Sequence, residues 1–355
     1  MAKNTMSTID SPWPEQHLQK LGHCPVCESS LAEVLHENLQ DRIFFCAPGS
    51  WTMFNCQNCG CAYLDPRPDE ASIGLAYSEY YTHDIDESWL SDASFWARRL
   101  PSWRNGYIKR RFPAFAAQPT NLSGGQLLAR SPTARVLLER DVRHLPTPTA
   151  DARLVDIGCG SGSFVKRAQL LGYLAQGLEF DPQAVEKAQR QHINVSQGAL
   201  PDTGLPSSHF DAVSLSHVIE HLHEPVRALR EISRILKPGG FFWLSTPNAL
   251  ATGHRRFGGY WRGLEPPRHL AVFSAQALQS SLLKAGFSDV RFQYPGPVSA
   301  WFYQASEKIA ATGPNTDGLA LAQHPTLQEE IRTIDRLSMS DPCAGEELIV
   351  TARRV

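Results

Sequence analysis

A chain of 355 residues has room for two or three compact units, and its 42% apolar content is that of an ordinary globular protein. Lys and Arg (34) nearly balance Asp and Glu (36), so no global basic field draws in nucleic acid. The local basic run Arg98, Arg99, Arg104, Lys109, Arg110 and Arg111 reads as a solvated helix face. No run approaches the ~20 apolar residues of a membrane span, and polar Met1 to Gln19 lacks the apolar core of a signal peptide. The expectation is a cytoplasmic protein with reduced thiols and no membrane partner; oligomeric state is left open.

Residues 1–20 are expected to be disordered. Cys24-Pro-Val-Cys27 and Cys56-Gln-Asn-Cys59 then form two C-x-x-C pairs. Each pair can place two thiolates on one tetrahedral ion, and Gly60 suits the turn after the second pair. Four thiolates leave no open position, so a Zn2+ bound by Cys24, Cys27, Cys56 and Cys59 would be structural; Cys46 and Cys61 are spare. A redox pair is the rival reading, but no thioredoxin-like pattern surrounds either pair. The long gap between the pairs calls for an inserted hairpin, placed at Phe44 to Phe54. Residues 21–68 are read as this zinc-ribbon module, too small to hold a core without its metal.

Residues 69–150 are read as helices forming a linker or substrate cap, with a loop near Pro119 to Gly125; Tyr80, Tyr81 and His83 are candidates to line a substrate pocket. From residue 151 the pattern becomes doubly wound α/β. Strands are predicted at 153–157, 175–179, 193–197, 210–215, 241–245, 289–294 and 347–351, with helices between the first five. The apolar stripe Val226, Leu229, Ile232, Ile235 and Leu236 covers the sheet, and Ser274 to Ala285 is a helix stopped by Gly286. Residues 297–343 are an insertion between the last two strands, expected to be helical.

The most informative stretch is Arg153-Leu-Val-Asp-Ile-Gly-Cys-Gly-Ser-Gly162. An apolar strand ends in Asp156, and Gly158, Gly160 and Gly162 lead into a helix. Such a turn brings backbone close to a ligand, and its G-x-G-x-G spacing is not the G-x-G-x-x-G of dinucleotide binding. Leu174 to Glu179 is a second apolar run ending in an acid, about 20 residues on, as a ribose-binding acid requires. Asp181-Pro182 starts a helix, Phe210 to His217 is a strand with a polar end, and Arg234-Ile-Leu-Lys-Pro-Gly-Gly240 leads into another.

This train, over residues 151–296, resembles class I S-adenosylmethionine-dependent methyltransferases, closest to a small-molecule branch that includes ubiquinone-biosynthesis O-methyltransferases. Cys59-Gly-Cys-Ala-Tyr-Leu-Asp-Pro-Arg-Pro68 resembles the end of a zinc-binding module that precedes some bacterial methyltransferase domains acting on sugars and natural products. The resemblance implies a Rossmann-like seven-stranded sheet, its last strand antiparallel between its neighbours. It also implies S-adenosylmethionine as cofactor, N-terminal helices over the substrate side and a methyltransferase domain over 151–355. Asp156, Gly158, Cys159, Gly160 and Gly162 would hold the methionine part. Glu179, followed by Phe180, would take the ribose hydroxyls; Gly198, Ala199 and Leu200 would cover the adenine, with Asp202 or backbone replacing an acid expected near Ala199. Ser216 and His217 would lie beside the sulfonium.

Methyl transfer needs alignment, and an oxygen nucleophile benefits from a base near neutral pKa. His269 on the stiff segment Trp261-Arg-Gly-Leu-Glu-Pro-Pro-Arg-His-Leu270 is one candidate base, with His217 and His254 as others; a role for His269 as a loop anchor stands beside it. His209 lies at the wrong end of its strand. Asn248, Trp261 and Arg268 are candidates for substrate contact. A metal at Glu220-His-Leu-His-Glu224 is set aside, because this segment recurs in the family without one. No Asn/Asp-Pro-Pro-Tyr segment ends the fourth strand, which argues against base-amine methylation. The expected function is methylation of a small molecule, O-methylation foremost. The alternatives are an RNA methyltransferase gripping RNA through the zinc module, and a non-catalytic binding module.

Overall fold

The computed structural model describes residues 9–77, 101–117, 119–312 and 325–355. Tyr80, Tyr81, His83, Arg98 and Arg99 lie outside the described residues. Among the described residues no helix is long and apolar enough to cross a membrane.

A seven-stranded sheet dominates. It is built from β6 (Arg153–Ile157), β7 (Leu174–Glu179), β8 (Val195–Gln197), β9 (Phe210–Ser216), β10 (Leu236–Pro247), β12 (Phe287–Gln293) and β13 (Glu347–Arg354). Its order is β12-β13-β10-β9-β6-β7-β8. The pairs among β10, β9, β6, β7 and β8 are parallel, while β13 runs antiparallel to both β10 and β12. This is the expected Rossmann-like arrangement, with the final strand inserted between its neighbours. The central strands are apolar on both faces because helices cover both: Leu154, Val155, Val213, Leu215, Phe242 and Leu244 are all buried. The helix Pro225–Ile235 lays Ala228, Leu229, Ile232 and Ile235 on one face, as its spacing requires.

The N-terminal cysteines flank a second sheet of order β11-β4-β3-β2, with β2 at Ala32–Leu39, β3 at Trp51–Cys56, β4 at Ala62–Leu64 and β11 at Ala271–Val272, while β1 (Leu18–Gln19), in the stretch expected to be disordered, pairs with β5 (Arg67–Pro68). The hairpin between the cysteine pairs is therefore wider than Phe44 to Phe54. Strand β2, Ala-Glu-Val-Leu-His-Glu-Asn-Leu, is solvated over most of its length and carries no alternation that would announce it. Strand β11 comes from the loop after β10, so the two sheets are sewn together. Leu64 N donates to Leu270 O, and Cys24, Cys56 and Cys59 pack in one core with Leu215, Ile219, Phe273 and Leu278.

Helices at Pro101–Arg111, Leu122–Arg130 and Pro132–Asp141 precede the doubly wound unit. The second begins inside the expected Pro119 to Gly125 loop, with the Asn121 side chain accepting from Gly124 N. Its glycines mark a close helix contact and not a loop: a Cβ on Gly125 would sit 2.2 Å from Tyr107 N, and one on Gly106 1.8 Å from Asn121 O. Residues 299–311 and 325–340 of the 297–343 segment are helical.

Candidate functional site

The polar strand ends of β6, β7 and β9 converge on one rim of the sheet, where open α/β sheets bind ligands. Gly158, Gly160 and Gly162 all take positive φ (69°, 53° and 80°). The first is fixed by packing, since a Cβ there would fall 2.3 Å from Val218 Cγ2. The middle one faces space: a Cβ on Gly160 meets nothing within 4 Å. Glu179 turns back over this loop. Its Oε2 accepts from Gly160 N at 2.7 Å, and its Oε1 accepts from Phe180 N at 2.9 Å and Asp181 N at 3.1 Å. Burial pushes its pKa up, against the pull of these amides. Phe180 is 57% exposed and stands edge-on to Tyr77 with ring centroids 5.9 Å apart.

Cys159 points under the loop: a Cβ on Gly177 would fall 2.4 Å from its Sγ. Gly198 N donates to Glu179 O at 2.9 Å, Ala199 is exposed and Leu200 is buried, so this loop lies beside the end of β7. Asp202 is instead paired with Arg227 at 2.7 Å on the outside. Ser216 and Ser245 face each other across β9 and β10 at 3.3 Å.

Asp156 is buried and has a partner that its own motif does not announce. Arg143 Nη1 donates to Asp156 Oδ1 and, at 3.0 Å, to Ser214 Oγ, while Ser214 Oγ donates to Asp156 Oδ1 at 2.7 Å. The Arg143 guanidinium lies 3.6 Å from the Phe164 ring centroid and 4.9 Å from that of Trp243. Arg143 sits in an irregular turn after Pro132–Asp141, so no periodicity could mark it.

His217 is not available as a base. Its Nδ1 faces Glu220 Oε1 and its Nε2 faces Glu347 Oε2, both at 3.2 Å, and Arg140 pairs with Glu347 at 2.6 Å. Burial disfavours the imidazolium, but the hydrogen bonds to Glu220 and Glu347 outweigh it and push the pKa up to about 10. His254 is also committed: its Nδ1 donates to Ala249 O at 2.7 Å, which leaves Nε2 to accept from His36 Nε2 at 2.9 Å.

The three residues proposed for substrate contact on or near the Trp261 to Leu270 loop are turned inward. Asn248 donates to Cys343 O and Gly345 O, at 2.9 and 2.8 Å. Trp261 donates to Glu346 Oε2 at 2.8 Å and stacks on His254. Arg268 has no exposed surface; it forks onto Asp41 at 3.0 and 2.7 Å and donates to Ala76 O and Cys46 Sγ. Arg268 holds the loop against the N-terminal module, and Asn248 and Trp261 hold it against residues 343–346.

His269 is anchored, as the alternative reading of it allowed: Nδ1 donates to Gly263 O at 2.8 Å. That bond fixes the tautomer and leaves the Nε2 lone pair free. Burial pulls its pKa down to about 4, so the ring is neutral. It meets His221 with ring centroids 4.7 Å apart, and one ligand atom from each of Glu220, His221 and His269 lies within 4.8 Å of the others. His221 Nδ1 is 3.1 Å from Arg268 O and 3.2 Å from Tyr77 Oη. His223 turns away to Pro68 O at 2.9 Å, and His209 sits at the opposite sheet end beside Arg153.

The second site is the thiolate cluster. Cys24 and Cys59 Sγ are 3.7 Å apart, Cys27 and Cys56 Sγ 3.5 Å, and all four sulfurs fall within 4.8 Å of one another. A tetrahedron with Zn–S bonds of about 2.3 Å has edges of about 3.8 Å, so the donor set fits zinc. The two knuckles match: Glu28 N donates to Cys24 O and Gly60 N to Cys56 O.

Residues 128–291 match a methyltransferase domain family. A Mycobacterium tuberculosis protein whose name reads "probable S-adenosylmethionine-dependent methyltransferase" is 30% identical over 148 residues, 40% of this chain and 52% of that one. The ubiquinone biosynthesis O-methyltransferase of Xanthomonas oryzae is 26% identical over 167 residues, 45% of this chain and 64% of its own. The chain thus spans about half to two thirds of these relatives. A solved S-adenosylmethionine-dependent methyltransferase of Archaeoglobus fulgidus is 18% identical with a TM-score of 0.42, covering 70% of this chain and 98% of its own.

Proposed function

We propose that this protein transfers a methyl group from S-adenosylmethionine to an oxygen of a small molecule, such as a sugar, phenol or natural product. The observation that carries the reading is the Gly160 amide facing the Glu179 carboxylate at 2.7 Å beneath open space, at the ends of the first two strands. When bound, the cofactor supplies a methyl already activated on sulfonium. The Gly158 to Gly162 backbone receives its methionine part, held from below by Asp156 and Arg143. Glu179 exchanges its backbone amides for the two ribose hydroxyls, and Phe180 and the Gly198 to Leu200 loop flank the adenine. The near-balanced charge favours a small acceptor over RNA.

The acceptor's proton is drawn off at the His221–His269 pair, since His217 and His254 have no free lone pair. His269→Ala is expected to lower turnover about 10²-fold or more while leaving S-adenosylhomocysteine affinity intact. The four cysteines hold one structural zinc and keep the Leu270 to Phe273 strand in place. Calorimetric titration with S-adenosylhomocysteine, followed by a screen of sugar nucleotides, phenols and quinones, tests the reading. Absence of saturable cofactor binding by the folded protein overturns it.

A further inference from the structure

Three buried polar groups of side chains stand out: the imidazole pair joining His36 to His254, the Arg268–Asp41 fork, and the group Glu220, His221 and His269. The first two are fully paired and account for themselves as the joint between two sheets. The third is not self-contained.

His269 Nδ1 and His221 Nδ1 each abut a backbone carbonyl, Gly263 O at 2.8 Å and Arg268 O at 3.1 Å. A carbonyl only accepts, so each Nδ1 carries the hydrogen and each Nε2 keeps an unprotonated lone pair. Fixing an imidazole through a carbonyl on its far nitrogen is how proteins orient histidines that bind a metal. Glu220 is buried and already carries two partners, His217 at 3.2 Å and Thr246 Oγ1 at 3.0 Å, which orient its carboxylate without using all of its lone pairs. Glu265 supplies an independent sign. It is 2% exposed, its Oε2 is held by Arg262 and lies 3.8 Å from His269 Nε2, and its Oε1 has no hydrogen-bond partner. An unpartnered buried carboxylate oxygen next to two fixed imidazoles is what a missing cation leaves behind.

We propose that Glu220, His221 and His269, with Glu265 behind them, bind one divalent first-row cation, a second metal site besides the four cysteines. Two bonds of about 2.1 Å span ~4.2 Å, so small side-chain rotations bring the set onto one ion. Two imidazoles and one or two carboxylates suit Mn2+, Fe2+, Co2+ or Zn2+ better than an all-oxygen Mg2+ shell, and they leave positions open. The sequence hid the site because its ligands come from two segments: Glu220 and His221 follow β9, whereas His269 arrives from the loop after β10. The neighbouring His223, which the local motif offers, points elsewhere.

The ion's part in the reaction rests on the methyl-transfer reading. When bound, the ion would offer the acceptor oxygen an open position and lower the pKa of its hydroxyl. The proton leaves to solvent. The new O–CH3 bond forms as the C–S bond breaks, and the electron pair of that bond returns to sulfur as a thioether. The histidine pair would then hold the ion and take no proton itself.

The test uses protein whose thiolate site is loaded with zinc, titrated with Mn2+ alone and followed by calorimetry and electron paramagnetic resonance. Neither cofactor nor acceptor is present, so the outcome is separate from that of the methyl-transfer reading. One equivalent of saturable Mn2+ is expected, with nitrogen couplings from imidazole in the pulsed resonance spectrum. His221→Gln and His269→Gln should each weaken it by about tenfold or more, whereas His223→Ala should leave it unchanged. No saturable uptake by the wild-type protein up to millimolar Mn2+ overturns the proposal. So does uptake without nitrogen coupling, a result that needs no variant to fold, and so does equal uptake in both glutamine variants.

Discussion

The Gly158 to Gly162 turn and the Trp261 to Ser274 loop both sit on the same rim of the sheet and both look like binding segments, yet they work in opposite ways. The glycine turn presents backbone: its side chains are absent or, like that of Cys159, tucked beneath, and the space above Gly160 is open. The second loop presents side chains to its own interior. Trp261, Arg268 and Ser274 are buried, and each finds a protein partner: Glu346, Asp41 and the Cys59 carbonyl. A ligand can displace amides from Glu179 at small cost because the amides regain partners in the ligand. A ligand cannot recruit Arg268 without stranding Asp41, which also accepts from Phe44, Cys46 and Ala47 amides. Aromatic and basic residues in a stiff loop therefore mark a joint as readily as a substrate site, and their partners decide which.

The largest effect that would break this comparison lies in the four cysteines under the joint. Replacing Cys56 and Cys59 together by Ser should abolish the roughly one equivalent of zinc and unfold the N-terminal sheet, since structural zinc in small modules contributes about 10–16 kcal/mol. Because β11 pairs with β4, the damage should reach the Leu270 to Phe273 segment. Metal analysis with circular dichroism checks this, and full zinc retention would show that these cysteines are not the ligands.

Breaking the fork should come next. Arg268→Ala leaves Asp41 charged and buried with no counter-ion, which costs about 3–5 kcal/mol in denaturant unfolding. Arg268→Met combined with Asp41→Asn should recover part of that loss, because it removes the buried charge and leaves an amide oxygen to accept from the loop amides. A loss below 1 kcal/mol in Arg268→Ala, or turnover lost with stability intact, would return Arg268 to the substrate.

The doubly wound unit was legible because its signals are local. Apolar strands, a positive-φ glycine turn and helix caps at Asp181 and Ser274 each state their structure within a few residues, and so does the paired spacing of the cysteines. What stayed hidden depends on tertiary encounter. Arg143 reaches Asp156 from a left-handed turn with no motif, with φ of 51°. Strand β2 is too polar to show alternation, and Gly124 and Gly125 read as a loop although they serve a helix crossing. The inward turn of Trp261 and Arg268 depends on Glu346 and Asp41, 85 and 227 residues away in sequence. No window along the chain contains such pairs.

On the open side of the comparison, Glu179→Ala should weaken S-adenosylhomocysteine binding by about 1.5–3 kcal/mol, the range for hydrogen bonds to a charged group. Calorimetry on a variant with an unchanged melt measures it. The same titration on Arg268→Met with Asp41→Asn should show wild-type affinity, because the fork touches no part of the glycine turn. Equal losses in the two variants would erase the distinction between the regions.

The smallest expected effect concerns pH at the joint. Burial, helped by the neighbouring His254, pulls the His36 pKa down to about 4, against about 6.5 in an unfolded chain. Between these values the unfolded chain binds the proton that the folded one refuses, so stability rises with pH across this window. His36 contributes fully above pH 6.5, and its contribution is lost as pH falls through about 4. His254 cannot relieve the strain, because its Nδ1 hydrogen is committed to Ala249 O and its Nε2 is the acceptor of the His36 bond. His36→Leu removes the titration and leaves that acceptor unmatched, so the variant should be less stable at pH 7.5 but lose less on going to pH 5. The thiolate cluster also weakens in acid, but it does so in both proteins, and the difference between their unfolding curves isolates His36. An identical acid slope in the two proteins would mean that water reaches this imidazole pair and that the joint is looser than its hydrogen bonds indicate.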